Sequence, residues 1–311
     1  MNKLLLGTTI AATVLAAQAA LAIPVINNSA ETYKPGHGLA SLGISYGMQT
    51  GNRDDAGNFK ALPAKTGFTQ LLAPLTLRLG LLDNLEGMIA LPLTMNTATP
   101  AAGSAQSSTG IGNVAVSLKY QFLHQAGIPA AILANGSTDV AYGDSMDLSV
   151  ALSAETPTGK TSYDKLDAAK LGTDITSWNK MDVGASLLTA KRWGAFKLTS
   201  NLGYYYSPEV DIEATKKVAY PGYIAYGLTG EYALMDNGGF MLEVLGANDL
   251  DSRKVAGVAV PQTQFYILTL NPGIQCKPTE NLHLSLSCAV PVLGRNSQDF
   301  VRPTLTASYI F

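Results

Sequence analysis

Charge is scarce in this chain: Asp, Glu, Lys and Arg make up 14% of its 311 residues, against about 25% in an ordinary soluble protein. The net charge is −2, and no basic stripe is present to neutralise phosphates, which excludes a nucleic-acid binder. Only three histidines occur, His37, His124 and His283, which leaves little material for acid–base or metal chemistry. No apolar run reaches the ~20 residues that a membrane-spanning helix needs. The one candidate, from Leu4 to about Ala16, follows a short positive start (Met1-Asn2-Lys3) and precedes Ala20-Leu21-Ala22, an A-x-A cleavage pattern. Residues 1–22 therefore read as a removed secretory signal. Glycine, at 30 residues, and hydrophobic residues, at 47%, are plentiful. The hydrophobic share is spread in alternation with no composition shift, as expected for one large β-domain with a lipid-facing surface.

The chain ends Pro303-Thr304-Leu305-Thr306-Ala307-Ser308-Tyr309-Ile310-Phe311. Leu305, Ala307, Tyr309 and Phe311 alternate with mostly small polar residues, which places one face in apolar and one in polar surroundings. A terminal strand that stops on an aromatic is what closes an outer-membrane barrel. The same period of two sets Val114, Val116, Leu118, Tyr120 and Phe122 against Asn113, Ser117, Lys119 and Gln121. It recurs in Leu282, Leu284, Leu286, Cys288 and Val290 against His283, Ser285 and Ser287, and in Leu71 to Leu81 against Thr76 and Arg78. Twelve strands are predicted: 39–49, 67–81, 85–93, 110–122, 146–156, 181–192, 195–206, 222–234, 239–247, 263–276, 281–291 and 301–311. Short turns at Asp83-Asn84, Trp193-Gly194, Asp236-Asn237-Gly238 and Pro278 to Asn281 alternate with long connections, the last of them at 292–300. The fold class is all-β, a transmembrane antiparallel up-and-down barrel of about 12 strands spanning 39–311. Residues 123–145, with Ile128 to Leu133, leave fourteen strands as the alternative. Segment 23–38 hangs in the periplasm or plugs the lumen. Tyr204, Tyr205, Tyr206, Tyr223 and Tyr226 at one rim, and Tyr120, Phe122, Tyr232, Tyr309 and Phe311 at the other, read as interfacial girdles.

Hairpin pairing sets Cys276 opposite a residue near 283, about five residues short of Cys288. At ~3.3 Å per residue that is roughly 16 Å, beyond the ~7 Å reach of a disulfide. Both thiols are therefore expected to be free, with Cys288 facing lipid. Thr158-Gly159-Lys160-Thr161 resembles a phosphate loop, but the required glycine is Ala154 and no helix follows. Asp139, Asp144 and Asp147 do not have calcium-loop spacing. His283 lies beside Ser285 and Ser287 without a third partner. No catalytic residue, metal or cofactor is assigned.

The inward charges carry more information. Arg78, Glu86, Lys119, Lys197, Glu231, Glu243 and His283 are the lumen and permeation candidates. Pairing about Asp236-Asn237 is expected to bring Glu231 and Glu243 nearly opposite, an unfavourable arrangement that Lys197 would compensate. The two readings are a structural ion-pair belt and a selective constriction.

Thr109-Gly110-Ile111-Gly112-Asn113, followed by the alternating strand to Lys119-Tyr120-Gln121-Phe122, resembles the outer-membrane barrels named for the meta-pathway of phenol degradation. So does Leu152-Ser153-Ala154-Glu155-Thr156-Pro157-Thr158-Gly159, which is similar to that family's strand ending in Pro-Thr-Gly. Asn113 stands where the family has Asp. The resemblance implies a transporter-like channel for small hydrophobic or aromatic solutes, located in the bacterial outer membrane. The expected partners are outer-membrane lipid, the solute, and the barrel-assembly machinery through the strand ending at Phe311. The chain is expected to act as a monomer and not as an enzyme. The rival from another class is a structural or adhesive surface barrel without a transport role.

Overall fold

A computed structural model describes residues 29–125, 145–161, 167–177, 181–213, 216–235 and 237–311. The signal at 1–22, the segment Ile128 to Leu133, and Asp139 and Asp144 lie outside the described residues.

Twelve long strands form the wall: β1 Gly38–Arg53, β2 Gly67–Leu82, β3 Leu85–Thr99, β4 Ala115–Gln125, β5 Ser145–Glu155, β6 Asp182–Trp193, β7 Phe196–Tyr206, β8 Tyr223–Met235, β9 Gly238–Asp249, β10 Tyr266–Cys276, β11 Leu282–Arg295 and β12 Ser297–Ile310. Each pairs antiparallel with the next, and β12 returns to β1 from Leu39↔Ile310 to Arg53↔Ser297. Closure gives the strand backbone groups partners, the condition for crossing hydrocarbon with strands. The wall is thus a closed twelve-strand barrel, and the fourteen-strand alternative falls away.

The period of two sorts the faces as the sequence implies. Leu118 is 51% exposed and its neighbour Lys119 4%; Leu286 is 51% exposed and Ser287 is buried. Cys276 pairs with Leu284 and Cys288 with Pro303, and both thiols are free. Cys276 shares the outward face of Ile274.

Three details differ from expectation. The long connection expected at 292–300 is strand on both sides of a tight turn at Asn296, whose φ of 50° supplies the left-handed corner. The strand expected at 110–122 is broken. Gln106–Ile111 pairs with the loop-end half of β3, Gly112 to Val114 leave the ladder, and β4 resumes at Ala115. Finally, the tyrosines of one rim split between faces: Tyr204 and Tyr206 point outward, whereas Tyr205 stacks on buried Tyr223 at 5.0 Å inside the barrel. Beyond the wall, connections 207–222 and 250–265 form a small sheet from Val210–Glu213, Lys216–Ala219, Lys254–Val255 and Val258–Ala259.

Candidate permeation pathway

The lumen carries buried polar side chains along its whole length and larger apolar clusters towards the loops. Nearest the short turns, inward positions are charged or polar. Glu86 and Lys119, opposite each other on β3 and β4, form an ion pair at 3.2 Å, with both side chains buried. Arg78 on β2 is buried at the same end. Arg192, Lys197 and Glu231 lie in one register across β6, β7 and β8.

The chain that precedes β1 lies among these groups. Lys119 Nζ donates to the carbonyl oxygens of Ser29 and Glu31, Ser149 Oγ to that of Ala30, and Thr32 Oγ1 to Gln121 Oε1 at 2.8 Å. Gln121 Nε2 in turn donates to Asp147 Oδ1 at 2.8 Å, and His124 Nδ1 lies 2.6 Å from the same oxygen. Lys197 Nζ makes an ion pair with Glu31 Oε2 at 2.7 Å. Burial would push the Glu31 carboxyl up, but the cations of Lys197 and Arg192 and its hydrogen bonds outweigh this and hold it at about 2. Tyr33 is pushed up to about 12, chiefly by burial, with Arg78 opposing. The segment leaves the lumen against Gly80, where a Cβ would lie 2.1 Å from Lys34 O. Gly80 N donates to His37 O at 2.9 Å.

The expected apposition of Glu231 and Glu243 is corrected by the register. Glu231 pairs with Met241 and Glu243 with Thr229, because the β8–β9 turn carries a one-residue irregularity at Ala233/Met235. Glu243 takes a 2.6 Å hydrogen bond from Asn271 Nδ2, and Glu231 one of 3.0 Å from Gln275 Nε2. Lys197 stands opposite Glu231 but makes its ion pair with Glu31. It does not bridge the two glutamates. His283 is half-buried opposite Ser308.

Towards the loop end two apolar clusters stand among buried polar residues such as Gln70, Asn96, Asp182, Asp299 and Arg302. Phe68, Ala98 and Phe300 pack with Ile175, which connection 157–180 carries into the barrel. Across the lumen Tyr223, Ala225, Leu245, Ala247, Phe265 and Ile267 form a second apolar cluster. The connection is held at several points. Asn96 Nδ2 donates to Thr173 O at 3.0 Å and to Ile175 O at 2.7 Å, Thr176 Oγ1 to Ile111 O at 2.7 Å, and Lys160 makes an ion pair with Asp174 at 2.6 Å. Burial raises the Asp174 carboxyl, and the Lys160 bond overcomes that and leaves it lowered. Here the two motifs of the family resemblance meet. Gly159 N donates to Asn113 Oδ1 at 3.0 Å, Val114 N to Thr158 Oγ1 at 2.9 Å, and Thr158 Oγ1 to Gly112 O at 2.8 Å. Asn113 Nδ2 points to Glu155 Oε2 at 3.5 Å, a place where the family's Asp would set carboxylate against carboxylate.

Sequence reasoning missed Glu31, Arg192 and Ile175. Arg192 was legible from the alternation of β6. Glu31 and Ile175 sit in irregular chain that folds inward, and no period reveals that.

Wall, outward apolar face and partly filled lumen together define a twelve-strand transmembrane barrel of the outer-membrane type. No protein-family model matches the chain, and no curated protein matches it. Among solved structures it is similar to the COG4313 outer membrane channel from Pseudomonas putida F1. The TM-score is 0.71 at 14% identity, covering 93% of this chain and 100% of that one. The transport unit of the autotransporter AIDA-I from Escherichia coli (TM-score 0.46, 12% identity, 94% and 96% covered) and the translocator domain of autotransporter NalP from Neisseria meningitidis (0.44, 9%, 94% and 92%) are more distant. At 14% identity the likeness to the Pseudomonas putida channel establishes the fold. The barrel implied by the family resemblance is the barrel observed.

Proposed function

We propose that this protein is an outer-membrane channel for passive uptake of small hydrophobic or aromatic compounds. The observation that carries the reading is the pair of apolar patches in the loop-end lumen, with Phe68, Ile175 and Phe300 on one side and Tyr223, Leu245, Phe265 and Ile267 on the other. A channel for hydrophilic solutes has a polar interior throughout. Residues 29–38 act as a lumen plug in this reading, since Ser29 to Thr32 bond to Lys119, Ser149, Lys197 and Gln121. Arg78, Glu86, Lys119, Lys197 and Glu231 then serve as the plug's receptor, and Glu243 and His283 as polar lining. The long connections face outside, the chain works as a monomer because one copy closes the barrel, and no chemical step is catalysed. The assembly machinery reads the closing strand ending at Phe311.

The test is accumulation of a hydrophobic naphthylamine dye by cells with an intact lipopolysaccharide outer membrane. Cells expressing the protein should take up the dye several-fold faster than cells carrying an empty vector. Equal rates at equal barrel yield would favour the structural or adhesive alternative.

A further inference from the structure

A buried lumen cation, Arg302, takes part in none of the ion pairs described above. Arg302, on the inward face of β12, is 6% exposed. Its Nη2 donates to the neutral amide oxygen Gln70 Oε1 at 3.1 Å, and its Nη1 is buried without a partner. Among the described residues no carboxylate lies within ion-pair distance of it; Asp299, three positions away on β12, is taken by Arg53 at 2.9 Å. A buried guanidinium without an anion is costly, and an unsatisfied buried donor calls for an explanation, an unseen ion among them.

The surroundings are built to hold this group in place. Gly47, beside Arg302 on β1, has no Cβ; one there would lie 3.3 Å from Nε and Nη2. The glycine therefore leaves the path by which the guanidinium reaches Gln70. Gln70 Nε2 donates to Asn96 Oδ1 at 2.9 Å, so the amide that accepts from Arg302 is fixed in orientation. The guanidinium lies 5.5 Å from the Phe300 ring centre, Phe68 meets Phe300 edge-on, and Ile175 packs against both. One side of the site is thus a cation with a free in-plane donor, and the other is an apolar wall.

We infer that this corner of the lumen is a binding station for monocarboxylates with an apolar body, such as aromatic or medium-chain aliphatic acids. Arg302 Nη1 takes the carboxylate, and Phe300, Phe68 and Ile175 take the body. The inference rests on the proposed uptake function and narrows its substrate class. A single guanidinium among neutral amides matches a monoanion, and its planar fork suits carboxylate geometry.

The experiment is equilibrium dialysis of radiolabelled 4-phenylbutyrate and of 4-phenylbutanol against the full chain in nanodiscs, with empty nanodiscs subtracted. The wild type should bind the acid about tenfold or more tightly than the alcohol, the range expected for one charge-assisted hydrogen bond. Arg302→Met should abolish that preference, Arg302→Lys should keep part of it, and Gly47→Ala should reduce it by displacing the guanidinium. Equal binding of acid and alcohol by the wild type overturns the inference, even if Arg302→Met fails to assemble. So does a preference that survives in Arg302→Met. If the preference is absent while cells still accumulate the naphthylamine dye, only the carboxylate station is wrong. If dye uptake is absent as well, the channel reading itself fails.

Discussion

Glu31 and Lys197 show how a few atoms could decide whether the lumen is filled. Each is mostly shielded from water, and removing one partner of such a pair is costlier than the pair itself is favourable. Lys197→Met should therefore release the segment around Glu31, and planar-bilayer recordings should show a larger unitary conductance than wild type. Adding Glu31→Gln to that variant should recover part of the loss, because the uncompensated carboxylate is gone; a double-mutant cycle without coupling would refute the pairing. The acid dependence follows from the same carboxylate. Its folded pKa is depressed from 4.5 to about 2. Its stabilising contribution is thus complete above the ordinary value and is lost as pH falls towards the depressed one. Conductance should rise on acidification through that window, and Glu31→Gln should flatten the profile. Asn113 presents a second single-residue case. Asn113→Asp would exchange a donor to Glu155 for a like charge, at a cost of about 1–3 kcal/mol. Faster proteolytic cleavage after Lys160 would register the loosened connection.

A strand is the unit at which sequence and structure correspond most closely, and β11 allows a direct test. Leu286 and Ser287 are adjacent, yet one meets lipid and the other the lumen. Leu286→Arg should destabilise the barrel by about 2–4 kcal/mol if near the membrane midplane, measured by urea titration in lipid vesicles, whereas Ser287→Arg should fold and change conductance. Equal costs would mean the register is wrong. Alternation made such faces readable in advance because every second side chain must dissolve in hydrocarbon. It could not give the turn at Asn296, since polar Arg295, Ser297 and Asp299 resemble a loop whether or not their backbone is paired. Nor could it give the break at Gly112 to Val114, where threonine hydroxyls of the following connection stand in for strand partners. The offset between Glu231 and Glu243 was equally hidden, because an irregularity beside one turn shifts every pair beyond it. What fills the lumen has no period at all, so Glu31, the ion partner of Lys197, became visible only in three dimensions.

For the molecule as a whole, the wall and its filling are separable, and this sets the decisive comparison. Closure rests on twelve ladders, including β12 against β1, and none of them uses residues before Gly38. Removing residues 29–34 behind an intact leader should leave the barrel folded, with unchanged heat-modifiable migration on a gel. Gly80→Ala tests the same point without shortening the chain. Its Cβ would meet Lys34 O at 2.1 Å and Tyr33 O at 2.3 Å, both backbone atoms that cannot rotate away. The segment would have to withdraw while Gly80 keeps its place opposite Glu86 in the ladder. Both variants should therefore raise conductance to a similar level, and both should lose the acid dependence of the wild type. If conductance stays low in both, the narrowest point lies at the loop end, where Ile175 clusters with Phe68 and Phe300. Ile175→Gly should then be the change that opens the lumen. If only the deletion raises conductance, the segment crosses Gly80 with room to spare, and the close approach there is not what seats it.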